Sequence, residues 1–345
     1  MLSSQPELDA CYSNMMRWIS DEYHGLNGSQ YEVLETPPSP LEFARLVQIS
    51  RPVLIKGYKV PAQTLWSNNY LIECMGDQKI SVAVTPDGRA DAITAGQDGR
   101  EYFTEPHVQQ MTMAEFLLKI SSDKKGDVLY VQTQNGNLYP SGYFDPSSRD
   151  GSSECEKLRR DAPSEISWCS EALGRSPEAV NVWVGDSRSM TSVHSDPFEN
   201  IYTVVRGTKH FTLFPPTEAW CLKERSYPHA TYTCDTPISP LKLSPTNYPP
   251  VRWSSIINPD DSTTLPSGAH PIHITLHAGD TLYLPVGWWH YVRQSGDITI
   301  ALNWWYDLQM RGAQWVWLSF LRGMGKDVMS GNPAQMNNAD TTEKG

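Results

Sequence analysis

The stretch NVWVGDSRSMTSVHSDPFENIYTVVRGTKHFTLFPP (181–216) decides the fold. β-Branched and aromatic residues fill short runs, and Gly, Asp, Ser and Pro separate them, which is the signature of successive strands. The same texture returns in HITLHAGDTLYLPVGWWHYVRQ (273–294) and DITIALNWWYDL (297–308), so the chain is mostly strand from Val180 onward. Many short strands with turn residues between them predict a β-sandwich or barrel. Residues 217–270 interrupt the pattern with a long Pro-, Ser- and Thr-rich insertion. Loops of that length are usually functional or disordered.

Working outward, the first part of the chain alternates helix and strand. QPELDACYSNMMRWISDEYH (5–24) predicts an amphipathic helix whose apolar face carries Leu8, Cys11, Tyr12, Met15, Ile19 and Tyr23. A second helix follows Pro38–Pro40 through LEFARLVQI, and RPVLIKG (51–57) is a short strand. KISVAVTPDGRADAI (79–93) alternates about Pro86-Asp87-Gly88 and predicts a β-hairpin. MTMAEFLLKI (111–120) is helical with Thr112 as N-cap, DVLYVQTQ (127–134) is a strand, 144–165 is a loop, and Gly174 closes a helix in SEALG (170–174). The division expected is an N-terminal helical segment (1–50), a β-rich domain (51–310) with its insertion at 217–270, a C-terminal helix (311–326) and a mobile polar tail (327–345).

The net charge of −11 argues against a broad basic footprint for nucleic acid and suits a cationic partner. Six cysteines include no C-x-x-C pair, so a zinc ribbon has no support. No apolar stretch approaches the ~18 residues that cross a bilayer, and no basic-then-apolar leader opens the chain. The expectation is a soluble protein of cytosol or nucleus with reduced thiols.

His194-Ser195-Asp196 sets two potential metal ligands two apart, which on a strand puts them on one face about 6.5–7 Å apart. A third, His290, ends GDTLYLPVGWWH, 94 positions on (290 − 196). Two His and one carboxylate form a facial triad that leaves coordination positions open. Alone, an H-x-D tripeptide is weak evidence, since most such tripeptides are turns or satisfied core histidines. His273 and His277 lie about 13 Å apart along a strand and cannot chelate one ion. His24, His107, His210, His229 and His270 have no partner at ligand spacing.

Lys209 strengthens the case. In KHFTLF it shares a strand face with Phe211 and Leu213. If that face is inward, a buried ammonium needs an anion, and no neighbouring Asp or Glu on the face supplies one. The competing account is an edge strand from which Lys209 snorkels to water. Asn303 shares a face with the small residues Thr299 and Ala301, where a ligand has room. A solvent-facing polar row would look the same.

With these residues in view, the chain resembles the JmjC (cupin) oxygenases, and among them the lysyl hydroxylases. The resemblance runs from about residue 40 to 320. Besides 181–216, its most specific stretches are SVAVTPDGRADA (81–92), VLYVQTQ (128–134), SEALG (170–174) and LYLPVGWWHYVRQ (282–294). It implies a double-stranded β-helix (jelly-roll) with flanking helices and Fe(II) on His194, Asp196 and His290. It also implies 2-oxoglutarate and O2 as co-substrates. The distal carboxylate falls to Lys209, Thr191 and Tyr130, and the keto-acid end to Asn200 and Asn303. Homodimers are implied too. The target implied is a lysine carbon in a protein, by kinship one of the developmentally regulated GTP-binding proteins. A cationic target needs acidic receptors, and Asp186 and Glu199, flanking the triad strands, are the candidates. Demethylation of N-methyl-lysine or N-methyl-arginine is the alternative within the enzymes. A non-catalytic cupin binding module and a zinc hydrolase are further alternatives, against which the complete triad and Lys209 respectively argue. The 217–270 and 144–160 segments are individual in sequence, so substrate identity transfers least.

Overall fold

The computed structural model describes residues 5–122, 125–148, 150–236, 239–307 and 312–327. The core strands are β1 (Val53–Ile55), β2 (Lys79–Thr85), β3 (His107–Thr112), β4 (Val128–Val131), β5 (Ala179–Gly185), β6 (Met190–Ser195), β7 (Phe198–Phe214), β8 (Ile272–His277), β9 (Thr281–Leu284) and β10 (Trp289–Asp307). The helices that matter for the site's scaffold are α1 (Gln5–Asn27), α2 (Pro40–Ile49), α3 (Met113–Ser122), α4 (Ser167–Leu173) and α5 (Ala313–Asp327), with shorter ones at Ala62–Leu65, Asn68–Met75 and Ser141–Phe144.

Two layers share their central strands. The larger runs β1-β9-β7-β10-β5-β4-β2-β3. In the smaller, β8 pairs with the second half of β7, and β6 pairs with the first half of β10. β7 and β10 pair with each other from Phe198↔Asp307 to Phe214↔Trp289 and so pass through both layers. This is the jelly-roll expected. Between the layers lie Tyr202, Val204, Phe211, Leu213, Ile274, Leu282, Val292 and Ala301. The outer face of the larger layer is covered by helices, with Phe43 of α2, Phe116 of α3 and Trp168 of α4 in one continuous cluster.

Gly207 reads in sequence as the turn between two strands, and the structure corrects this. β7 continues through it, and the register with β10 slips between Val204 and Thr208. Gly207 has φ +77°, and a Cβ there would lie 2.5 Å from Thr299 Oγ1. The bulge bends one strand from the first layer into the second. Gly296, at φ +114°, lies in the corresponding bend of β10.

Local chemistry accounts for α3. Met113, Phe116, Leu117 and Ile120 are its buried face at helical spacing. Thr112 Oγ1 accepts from Glu115 N at 3.2 Å, and the Glu115 carboxylate accepts from Thr112 N at 2.7 Å, a reciprocal cap. Gly174 ends α4 in the left-handed conformation.

Three expectations need correction. Residues 79–93 do not form a hairpin: β2 pairs with β3 and β4, while Arg89–Ala90 pairs in parallel with Met190–Thr191 of β6. The apolar face of α1 is also displaced. Met16 and Ser20 are buried, whereas Cys11, Tyr12 and Met15 are exposed. The helix docks on the 3-10 turn Pro216–Leu222, where Ser20 Oγ donates to Glu218, so a polar contact fixes its rotation. Finally, 144–165 contains a 3-10 helix at Glu156–Asp161, held because Asp161 accepts from Trp66 Nε1 at 2.9 Å and from Tyr70. Residues 328–345, expected as a mobile tail, lie outside the described residues. Among the described residues, no helix is long and apolar enough to cross a membrane.

Candidate metal and co-substrate site

The triad is assembled by cross-strand pairing. β6 and β10 are antiparallel, with His194 directly opposite His290. Asp196 follows the end of β6, and its carbonyl accepts from Gly287 N at 3.0 Å, which pins the loop leading to His290. His194 Nε2 lies 3.6 Å from Asp196 Oδ1, and His290 Nε2 lies 3.6 Å from Asp196 Oδ2. All three ligand atoms fall within 4.8 Å of one another, the only such group among the described residues.

The ring orientations suit a metal. His194 Nδ1 is 2.8 Å from the Ser192 carbonyl, and His290 Nδ1 is 3.0 Å from the Trp288 carbonyl. A carbonyl only accepts, so each Nδ1 carries the proton and each Nε2 turns its lone pair inward. Burial, and then His194, push His290 down to about 4, which keeps it neutral and available as a ligand.

Beside the triad opens a narrow cleft lined by Tyr130, Thr191, Asn200, Asn303, Trp183 and Trp305, among others. Thr191 reaches it because the β6–β10 register shifts between Thr191 and His194. Without that irregularity, residues three apart would face opposite sides.

Lys209 is only 1% exposed, so the edge-strand account fails. Its Nζ donates to the Tyr130 hydroxyl at 3.0 Å, and it forms no ion pair with a carboxylate among the described residues. Burial pushes its ammonium down to about 7. Burial likewise pushes the Tyr130 phenol up, while the neighbouring Thr191 hydroxyl works the other way. Three of the expected co-substrate residues therefore meet in one corner. The two asparagines meet in another. Asn303 Nδ2 donates to Asn200 Oδ1 at 3.2 Å, while Asn303 Oδ1 accepts from Trp183 Nε1 at 2.8 Å and from Asn181 Nδ2 at 3.2 Å. That network fixes the direction of both amides.

The acidic candidates do not join the cleft. Asp186 is 1% exposed and is held by Arg188 at 2.8 Å. Glu199 is buried on the opposite face of β7 from Asn200, accepting from Tyr283 Oη at 2.8 Å and Val286 N at 3.2 Å. Strand parity explains the second: neighbours on a strand face opposite ways, so Asn200 in the cleft puts Glu199 under the sheet.

Two contributors were not singled out by sequence. Trp253, from the insertion, stacks parallel to the His194 ring at 6.0 Å, and its Nε1 donates to Ser192 Oγ at 3.1 Å. Asp91, in the segment after Arg89–Ala90, lies near enough to His194 for the imidazole to act on its carboxyl. Both come from distant parts of the chain and carry no spacing signal.

A family profile described as "Cupin-like domain" matches residues 38–312. The chain is 35% identical over 327 residues to an Arabidopsis thaliana protein named lysine-specific demethylase JMJ32, covering 89% of this chain and 90% of the relative. It is 35% identical over 285 residues to the Homo sapiens bifunctional peptidase and (3S)-lysyl hydroxylase JMJD7, covering 80% and 84%. A Dictyostelium discoideum protein, JmjC domain-containing protein E, is 32% identical over 320 residues, covering 83% and 86%.

Proposed function

The chain belongs to the cupin-like JmjC family, and from that premise we propose that it is an Fe(II)- and 2-oxoglutarate-dependent protein hydroxylase acting on a carbon of a lysine side chain. The observation that carries the co-substrate is Lys209. A fully buried ammonium whose hydrogen-bond partner is a phenol that lines the cleft beside a His-Asp-His triad fits a small dianion.

The donor set suits iron: the imidazoles of His194 and His290 and the Asp196 carboxylate would hold it. Iron and 2-oxoglutarate, when bound, supply with O2 the oxidant that replaces a C–H bond by C–OH while 2-oxoglutarate becomes succinate and CO2. The chain's own residues do the positioning. Lys209, Tyr130 and Thr191, which meet in one corner, would hold the distal carboxylate. Asn200 and Asn303, fixed by Trp183 and Asn181, orient the keto-acid end. Trp183 and Trp305 line the same cleft and limit water.

The lysyl target rests on kinship to the human relative, with developmentally regulated GTP-binding proteins as the proposed substrate class. The Arabidopsis relative, named a demethylase, favours a second reading in which an N-methyl group is attacked and lost. Purified protein with Fe(II), ascorbate, 2-oxoglutarate and a lysine-bearing substrate peptide distinguishes the two by mass spectrometry. A one-oxygen gain means hydroxylation, and loss of a methyl group from a methylated peptide means demethylation. The site assignment is wrong if Asp196→Ala and Lys209→Ala both leave succinate formation intact.

A further inference from the structure

We propose that Asp91 receives the side-chain ammonium of the target lysine and thereby selects a cationic side chain. This deepens the lysyl reading above and rests on it.

Asp91 stands between two site strands, near enough to His194 for the imidazole to act on its carboxyl. The preceding residues Arg89–Ala90 pair with Met190–Thr191 of β6. The Ser192 hydroxyl donates to the Asp91 carbonyl, and the Ser192 carbonyl is the group that orients His194. Asp91 adopts φ +51°, which turns the chain at that point. Its Oδ2 accepts from Gln132 Nε2 at 3.1 Å, and Gln132 follows β4, two residues past Tyr130. The carboxylate is thus held between the strand of the first iron ligand and the strand of the co-substrate phenol.

Among the described residues, no lysine or arginine is paired with it. The charged groups acting on Asp91 are Glu105, His194 and His229, with no lysine or arginine among them. Arg89, nearest in sequence, is taken by Asp87 at 2.6 Å. Oδ1 has no hydrogen-bond partner among the described residues. Burial, and then Glu105, push the carboxyl up to about 6. A largely buried carboxylate in this setting mirrors Lys209: one pole awaits the anion of the co-substrate, the other a cation.

The surroundings suit a lysine. Trp253, parallel to His194 and tied to Ser192, offers an aromatic wall for methylenes at this corner. Glu105, exposed and 3.5 Å from His229, adds negative potential on the approach. An ammonium anchored beside His194 keeps the carbons of its own side chain within one side-chain length of the triad.

The test uses the full chain loaded with Mn(II) and 2-oxoglutarate, with Nα-acetyl-lysine N-methylamide as probe and its norleucine counterpart as the uncharged control. Paramagnetic relaxation of the terminal methylene protons reports proximity to the metal. The lysine probe should be relaxed at least about fivefold more than the norleucine probe. Asp91→Asn should abolish that difference and Asp91→Glu should restore part of it, with Mn(II) resonance confirming that both variants still bind metal. Equal relaxation of the two probes by the unaltered protein overturns the proposal, as does lysine selectivity that survives Asp91→Asn. The hydroxylase reading is scored separately. Lysine-selective relaxation without oxygen gain in the Fe(II) protein refutes that reading and upholds Asp91, whereas oxygen gain without lysine-selective relaxation does the reverse.

Discussion

β7 buries a charge in each of its halves, and the two have opposite meanings. Glu199, in the larger layer, faces the helices, and its Oε2 accepts from a phenol and a backbone amide. Lys209, beyond the Gly207 bend, faces between the layers and donates to a single phenol. Burial lifts Glu199 to about 7 and lowers Lys209 to about 7, so each is drawn toward its neutral form. The difference lies in what each side chain looks at. Glu199 is enclosed by Tyr283 and the Val286 amide, and its second oxygen has no partner among the described residues. Lys209 is bonded to Tyr130, and Tyr130 lines the cleft beside the triad. A buried charge therefore marks a ligand site only when space adjoins it.

The sharpest way to break this contrast is to remove the Lys209 charge. Lys209→Met should raise the KM for 2-oxoglutarate at least about 100-fold, since breaking a buried charge pair costs about 3 kcal/mol or more. The ligand-free variant should melt no lower than the unaltered protein, because an unpaired buried ammonium has been replaced by an apolar chain of similar volume. Co-substrate should no longer raise its melting temperature. A variant that loses stability but keeps its KM would make Lys209 structural, like Glu199.

A milder test uses pH. Binding a dianion favours charged Lys209, whose pKa in the ligand-free protein is about 7. Affinity should thus be flat below that value and weaken as pH rises through it, by up to about tenfold per pH unit. Calorimetry with Mn(II) in place of iron, in buffers of different ionisation enthalpy, should show uptake of close to one proton at about pH 8 and little at about pH 6. Equal proton uptake at both would mean that Lys209 is already charged before the ligand arrives.

The smallest effect on catalysis belongs to Glu199. Its folded-state pKa of about 7 lies above the ordinary 4.5, so its neutral form stabilises the fold. That contribution is full below 4.5 and is lost as pH rises toward 7, on the order of 3 kcal/mol across the interval. Glu199→Gln should flatten this part of the stability profile, read by urea unfolding at a series of pH values, and change turnover by less than about twofold. A tenfold loss of turnover at full stability would return Glu199 to the site.

The same contrast shows how much was legible in sequence. The triad could be found because the i, i+2 spacing of His194 and Asp196 survives folding; His290, expected at the end of a strand, instead opens β10, and its place opposite His194 comes from the β6–β10 pairing. Lys209 could be found from alternation along KHFTLF. Glu199 could not be sorted from it, since alternation gives a face without saying which face meets a cleft. The hairpin expected at 79–93 failed for a related reason. Arg89–Ala90 finds its partner in β6, far along the chain, and local alternation carries no record of that pairing. The rotation of α1 was set by Ser20 and Glu218, a polar contact invisible to an apolar periodicity. Trp253 and Asp91 reach the site only through tertiary packing.

The opposition of β6 and β10 also bears on when iron can arrive. His194 and Asp196 emerge from the ribosome well before His290, with the whole insertion between them. Until β10 docks against β7 and lays His290 opposite His194, the nascent chain offers an ion two donors on a strand with no facing partner, a weak chelate that competing cellular ligands strip. On the proposed reading, the packed layers would have to form before the triad could hold iron.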